Sequence, residues 1–126
     1  MNPSFDIKTT GLIIVDHGSR RDESNELLEA VVKAYRQHSG FRVVEAAHME
    51  LAEPSMATAF ARCVAQGAQL MVVFPYFLGP GRHWSADIPR LAAEAASPYL
   101  GRGVRYVVTA PFGLQMAAGL ANSNVS

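Results

Sequence analysis

At 126 residues, 49% hydrophobic and 17% charged, the chain is long enough for one buried core and too apolar for intrinsic disorder. Its 11 basic and 11 acidic residues cancel, so no general nucleic-acid or anionic-membrane surface is implied. The one cysteine, Cys63, excludes an internal disulfide and any iron–sulfur or zinc cluster held by the cysteines of a single chain.

Met1 to Thr10 is short and polar, without the apolar core of a signal peptide or the Arg/Ser-rich pattern of a transit peptide. No apolar run approaches the ~20 residues that span a bilayer. The expectation is one cytoplasmic domain over residues 1–126, with flexible ends at 1–10 and about 121–126. Leu12-Ile13-Ile14-Val15 is a continuous apolar run, predicting a strand covered on both faces. Asp16-His17-Gly18-Ser19-Arg20-Arg21 follows, then a helix over Asp22 to His38 with Leu27, Leu28, Val31, Val32 and Tyr35 as its apolar stripe.

Arg42 to Ala47 predicts a second strand, leading into His48-Met49-Glu50-Leu51-Ala52-Glu53, and Pro54 is placed to open the next helix. Met56, Phe60, Cys63 and Val64 give that helix a buried face, where Cys63 serves as a small hydrophobe. A third strand spans Leu70 to Phe74. It breaks into a loop whose Pro75, Gly79, Pro80 and Gly81 impose a defined shape and present Arg82, His83 and Trp84. A third helix carries Ile88, Leu91, Ala92 and Ala95 and stops before Pro98. Arg105 to Thr109 predicts a fourth strand, and Leu114 to Leu120 a weak last helix.

Alternating strands and helices make this an α/β chain: a single four-stranded parallel sheet with helices on both faces. In such sheets the ligand crevice lies beyond the carboxyl ends of the strands. His17, the pair His48 and Glu50, and His83 each follow a different strand, and only His38 is left out. His48 and Glu50, two apart, are expected to point the same way in an extended segment. Taken singly, each residue has a plain structural alternative. His17 could cap a helix, His48 and Glu50 could sit in a solvated loop, and Ser19 could serve a loop hydrogen bond. Arg20 and Arg21 could be surface charge beside Asp22 and Glu23, and Trp84 a plug against the sheet. The convergence of three segments is what points to a site.

Several mechanisms are excluded. Gly79-Pro80-Gly81 has neither the length nor the lysine of a phosphate-binding P-loop, and no Gly-x-Gly-x-x-Gly follows the first strand. Ser19 lacks the elbow of a serine hydrolase. Imidazoles and a carboxylate remain, which are ligands for a divalent first-row metal and proton acceptors near neutral pH. Nine arginines against only Lys8 and Lys33 also suit an anionic ligand, since arginine grips carboxylates bidentately.

Val15-Asp-His-Gly-Ser-Arg-Arg, Ala46-Ala-His-Met-Glu-Leu-Ala-Glu-Pro-Ser and Phe77-Leu-Gly-Pro-Gly-Arg-His-Trp-Ser-Ala-Asp-Ile-Pro together resemble the short, CbiX-type class II sirohydrochlorin chelatases. The variant with Ala-His-Met-Glu and Arg-His-Trp is most similar to the iron-inserting branch. The resemblance covers roughly residues 10 to 114. It implies a flavodoxin-like half-unit, a homodimer, and ATP-independent insertion of Fe²⁺ into sirohydrochlorin, with Co²⁺ insertion as the alternative. It also implies His17 and His83 as catalytic and metal-handling residues and Glu50 as a metal-site carboxylate.

Insertion strips two pyrrole N–H protons and passes a dehydrated ion into the macrocycle, for which loose imidazole and carboxylate ligands are suited. The partners expected are sirohydrochlorin and a divalent metal, with no permanent cofactor, no iron–sulfur cluster, no nucleic acid and no membrane. Ser19, Arg20, Arg21, His48, Arg82 and Trp84 are the candidate substrate-binding residues, the arginines for the carboxylate arms and the indole for the ring face. A tetrapyrrole or metal carrier without turnover stands as a third, non-enzymatic reading.

Overall fold

The computed structural model describes residues 6–76 and 84–109, with Trp84 described by its backbone alone. The expectations placed on Arg82, His83, the Trp84 side chain, the helix Leu114 to Leu120 and the outermost residues of both ends lie outside the described residues.

Strand β1 (Thr10–Asp16) is buried from Thr10 to Val15, as its unbroken apolar run requires. Helix α1 (Asp22–His38) follows, with Asp22 and Glu23 in its positively polarised first turn. Next come β2 (Val43–His48), α2 (Met56–Ala65), β3 (Leu70–Pro75), α3 (Trp84–Ala96) and β4 (Arg105–Val108). Short 3₁₀ turns at Ile7–Thr9 and Ser97–Arg102 lead into β1 and β4. All strand pairings are parallel, and the sheet order is β2-β1-β3-β4.

The layers follow from the strand period of two. Leu12, Ile14, Val44 and Ala46 meet Leu28 and Val32 of α1 on one face. Ile13, Val15, Met71 and Val73 meet Phe60 and Cys63 of α2 and Ile88 and Ala92 of α3 on the other. The α/β architecture read from the sequence is therefore the one observed.

Three local readings are corrected. Pro54 does not open α2: Ser55 is its N-cap, with extended backbone and an Oγ that accepts from Thr58 N at 3.2 Å. Strand β2 runs from Val43 rather than Arg42 and extends to His48, which pairs with Asp16. Leu27 leaves the core stripe of α1 and is 66% exposed. It stands about 100° round the helix from buried Leu28, turned toward the carboxyl edge of the sheet.

Because β2 and β3 lie on opposite sides of β1, the chain reverses direction across the sheet between β1 and β3. That switch point is where the last residues of β1 and β3 open outward.

Candidate active site

His17 directly follows β1, and Glu50 stands two residues beyond the end of β2. The strand ladder does not stop where the strands do. Met49 N donates to Asp16 O at 2.9 Å and Glu50 N to His17 O at 3.2 Å. The two side chains are thereby set opposite each other, and His17 Nε2 lies 3.1 Å from Glu50 Oε2, both about half exposed. Gly18 makes the approach possible. Its φ is +95°, and a Cβ there would lie 1.8 Å from the Glu50 carbonyl oxygen.

Behind this pair lies a second one. His48 Nδ1 is 2.6 Å from Asp16 Oδ1, with the imidazole 1% exposed and the carboxylate 22%. A carboxylate only accepts, so Nδ1–H is the donor. His48 N donates to Pro54 O at 2.8 Å, closing the β2–α2 loop on itself. Leu51 turns that loop with φ +74°, a left-handed conformation seldom held by a branched side chain. Glu53 finishes it, accepting from Thr58 Oγ1 at 2.8 Å and Ser55 N at 3.0 Å. Those two hydrogen bonds, Thr58's foremost, hold its carboxyl below the usual range.

His48 and Glu50 therefore do not point alike, as an extended segment would have made them. The bend after His48 turns one ring into the protein toward Asp16 and leaves the carboxylate in solvent beside His17. Ser19 serves its own loop: Asn25 Nδ2 donates to Ser19 O at 2.7 Å, and Arg21 N to Ser19 Oγ at 2.9 Å. Arg21 is the exposed N-cap of α1.

Two cavities flank the dyads. One, of about 180 Å³, is lined by Asp16, His17 and Ser19 with an apolar wall of Leu27, Val31 and Tyr76. The other, of about 410 Å³, lies on the far side of Ser19. Arg20 and His48 line it together with acidic Asp22, Glu26, Glu29 and Glu53. Among the described residues no three His, Cys, Asp or Glu converge as a metal cage. His17 and Glu50 offer two donors on one open face, and the third expected donor, His83, lies outside the described residues.

Asp16, Leu27 and Tyr76 were not singled out from the sequence. Asp16 had a readable signal, an acid at the very end of a wholly buried strand. Leu27 and Tyr76 had none, since each reads as an ordinary core or loop residue until the sheet edge is built.

The CbiX family model matches residues 11–121. The chain is 57% identical, over 103 residues, to the chloroplastic sirohydrochlorin ferrochelatase of Arabidopsis thaliana, covering 82% of this chain and 45% of that one. Among solved structures it resembles the sirohydrochlorin chelatase SirB of Bacillus subtilis subspecies spizizenii in complex with cobalt. That match has a TM-score of 0.73 and 33% identity and covers 82% of this chain and 44% of SirB. It also resembles a CbiX protein of Marinobacter aquaeolei, with TM-score 0.70, 30% identity and 92% of each chain covered. The chain spans about half the length of the curated relatives it matches. The family model covers most of the chain and the fold agrees with that of the solved relatives: the chain belongs to the CbiX family.

Proposed function

We propose that the chain inserts Fe²⁺ into sirohydrochlorin without ATP, acting as a homodimer. The observation that carries this reading is the His17–Glu50 pair at 3.1 Å, exposed at the carboxyl edge of β1 and β2 beside an apolar wall. The 57% identity to a protein named sirohydrochlorin ferrochelatase supports it. In the reaction, four pyrrole nitrogens exchange two protons for one dication. His17 and Glu50, joined by His83, hold the hydrated ion by few and exchangeable bonds, so that it can leave for the macrocycle. The imidazoles accept the pyrrole protons, and half-exposed His17 can pass its proton to solvent.

Leu27, Val31 and Tyr76 give the macrocycle an apolar wall, and Trp84 a further aromatic face. Arg21 and Arg82 take the anionic arms. Arg20 contributes less, because its cavity carries four acidic side chains that repel a carboxylate. Ser19, after β1, and His48, at the end of β2, shape the wall of the larger cavity. A second protomer encloses the macrocycle, for which the 180 Å³ cavity beside His17 is far too small.

Cobalt insertion by the same site is the second reading, favoured by the cobalt complex of the related SirB. Anaerobic incubation with sirohydrochlorin and either Fe²⁺ or Co²⁺, followed by absorbance, decides among the readings. Faster formation of sirohaem than of the cobalt product is expected. Faster cobalt insertion would move the assignment to the second reading. Tight tetrapyrrole binding without turnover of either metal would leave a carrier.

A further inference from the structure

We propose that Asp16 and His48 are positioning residues: their buried hydrogen bond holds the ends of β1 and β2 so that His17 and Glu50 meet as a metal-receiving pair. The proposal deepens the metal-insertion reading and rests on it. His17 and Glu50 are themselves 50% and 58% exposed, so little packing restrains them. Each is fixed instead through its neighbours. Asp16 and His48 are the terminal residues of their strands and partners in register. Their side chains close at 2.6 Å, with the histidine ring 1% exposed.

The backbone repeats the lock one step outward, through Met49 N to Asp16 O and Glu50 N to His17 O. Loss of the side-chain bond leaves a buried ring nitrogen without its acceptor, and the ring must then turn or the strand end open. Either response moves Glu50 relative to His17. The His48 ring is 1% exposed and is not among the residues that line the cavity beside His17, so it stands behind the His17–Glu50 pair rather than on its open face. Residues standing behind metal ligands in this manner typically tune affinity or activity by about 10–100-fold.

The test uses the full chain, with Co²⁺ alone as the binding probe read by its visible absorption, and sirohydrochlorin turnover as the second readout. Asp16→Ala is expected to weaken Co²⁺ binding about 10-fold or more and to lower kcat similarly, with KM for sirohydrochlorin within about 2-fold of wild type. Asp16→Asn, whose amide oxygen still accepts from Nδ1–H, is expected to restore most of both. In a His17→Ala background Asp16→Ala should cost no further Co²⁺ affinity, because the pair acts through His17. A purely structural role predicts an additive loss there and no rescue by asparagine.

If Asp16→Ala does not fold, the double variant Asp16→Leu/His48→Phe replaces it, since removing both polar partners leaves neither unsatisfied. Folded variants that keep Co²⁺ affinity and kcat within about 2-fold of wild type overturn the proposal. Wild-type protein that binds Co²⁺ but leaves sirohydrochlorin metal-free overturns the chelatase reading instead, and the Co²⁺ arm then still decides the role of the pair.

Discussion

A methyl group added at Gly18 would fall 1.8 Å from the Glu50 carbonyl oxygen, on a backbone whose φ of +95° side chains rarely adopt. Both faults act at the contact that joins His17 to Glu50. Gly18→Ala is therefore expected to cost about 2–4 kcal/mol and to abolish Co²⁺ binding. Urea unfolding and a Co²⁺ titration check the two halves separately. A Gly18→Ala protein of wild-type stability would mean the two loops are not in contact in solution. His17 makes the opposite case. Half exposed and outside the core, it can be replaced by Ala with folding held within ~1 kcal/mol, while insertion should collapse. His83→Ala is expected to behave likewise, and the His17→Ala/His83→Ala protein to be little worse than the poorer single variant, as groups acting on one ion are not additive. Near-wild-type turnover by either single variant at saturating tetrapyrrole would remove that residue from the chemistry.

Helix α2 shows how closely an element can be seated when the strand beneath it offers a glycine. A Cβ on Gly11 would stand 3.1 Å from Cys63 Sγ and 3.3 Å from Ala68 Cβ, so the missing side chain is what lets α2 settle on β1. The seat buries Cys63 completely, and burial, with Glu45 adding to it, pushes the thiol up to about 12. This raised value has a definite sign in stability. Below the thiol's unfolded value of roughly 8.5 both states keep the proton, and the contribution is constant. Between there and about 12 only the unfolded chain releases it, so stability falls as pH rises, by up to about 1.4 kcal/mol per pH unit. Tyr35, raised chiefly by burial and then by Tyr76, adds a loss of the same sign, and so the comparison must be with Cys63→Ala. The variant should lose stability less steeply over pH 9–11 in denaturant titrations. Parallel curves would show that the sulfur is not buried in solution. At the edge of the sheet, Glu45 on β2 gathers Arg36 from α1 and Arg62 from α2, each at 3.9 Å, and Gln66 at 2.8 Å. Arg36 also donates to the Val44 carbonyl, covering an edge that would otherwise be open to another strand.

At the scale of the whole molecule, the site lies at the carboxyl edge of one sheet, and the cavity beside His17 among the described residues, about 180 Å³, does not enclose a macrocycle. The homodimer proposed above supplies the further enclosure. Sedimentation at micromolar concentration is expected to give a dimer, and dilution below its dissociation constant to lower insertion activity in step with dimer content. A monomer that retains full specific activity would show that one sheet edge suffices.

The β1 run Leu12 to Val15, the span of α1 from Asp22 to His38 and the alternation of elements were legible because burial on both faces and period are properties of consecutive residues. From them the parallel sheet and its carboxyl edge follow, and with the edge the gathering of His17 and Glu50. The helix start at Ser55 rather than Pro54 was also in the sequence, as a capping residue passed over in favour of its neighbour. What no stretch of sequence contains is register. That His48 stands level with Asp16, and is thereby drawn inward at 2.6 Å while Glu50 is left outside, depends on how residues 32 positions apart slide along each other. A slip of one residue would turn the same side chains to the opposite faces. The outward turn of Leu27 and the place of Tyr76 on the cavity wall belong to the same class. Periodicity assigns Leu27 to the core stripe, and only the packed edge shows that it, with Tyr76, lines the cavity beside His17.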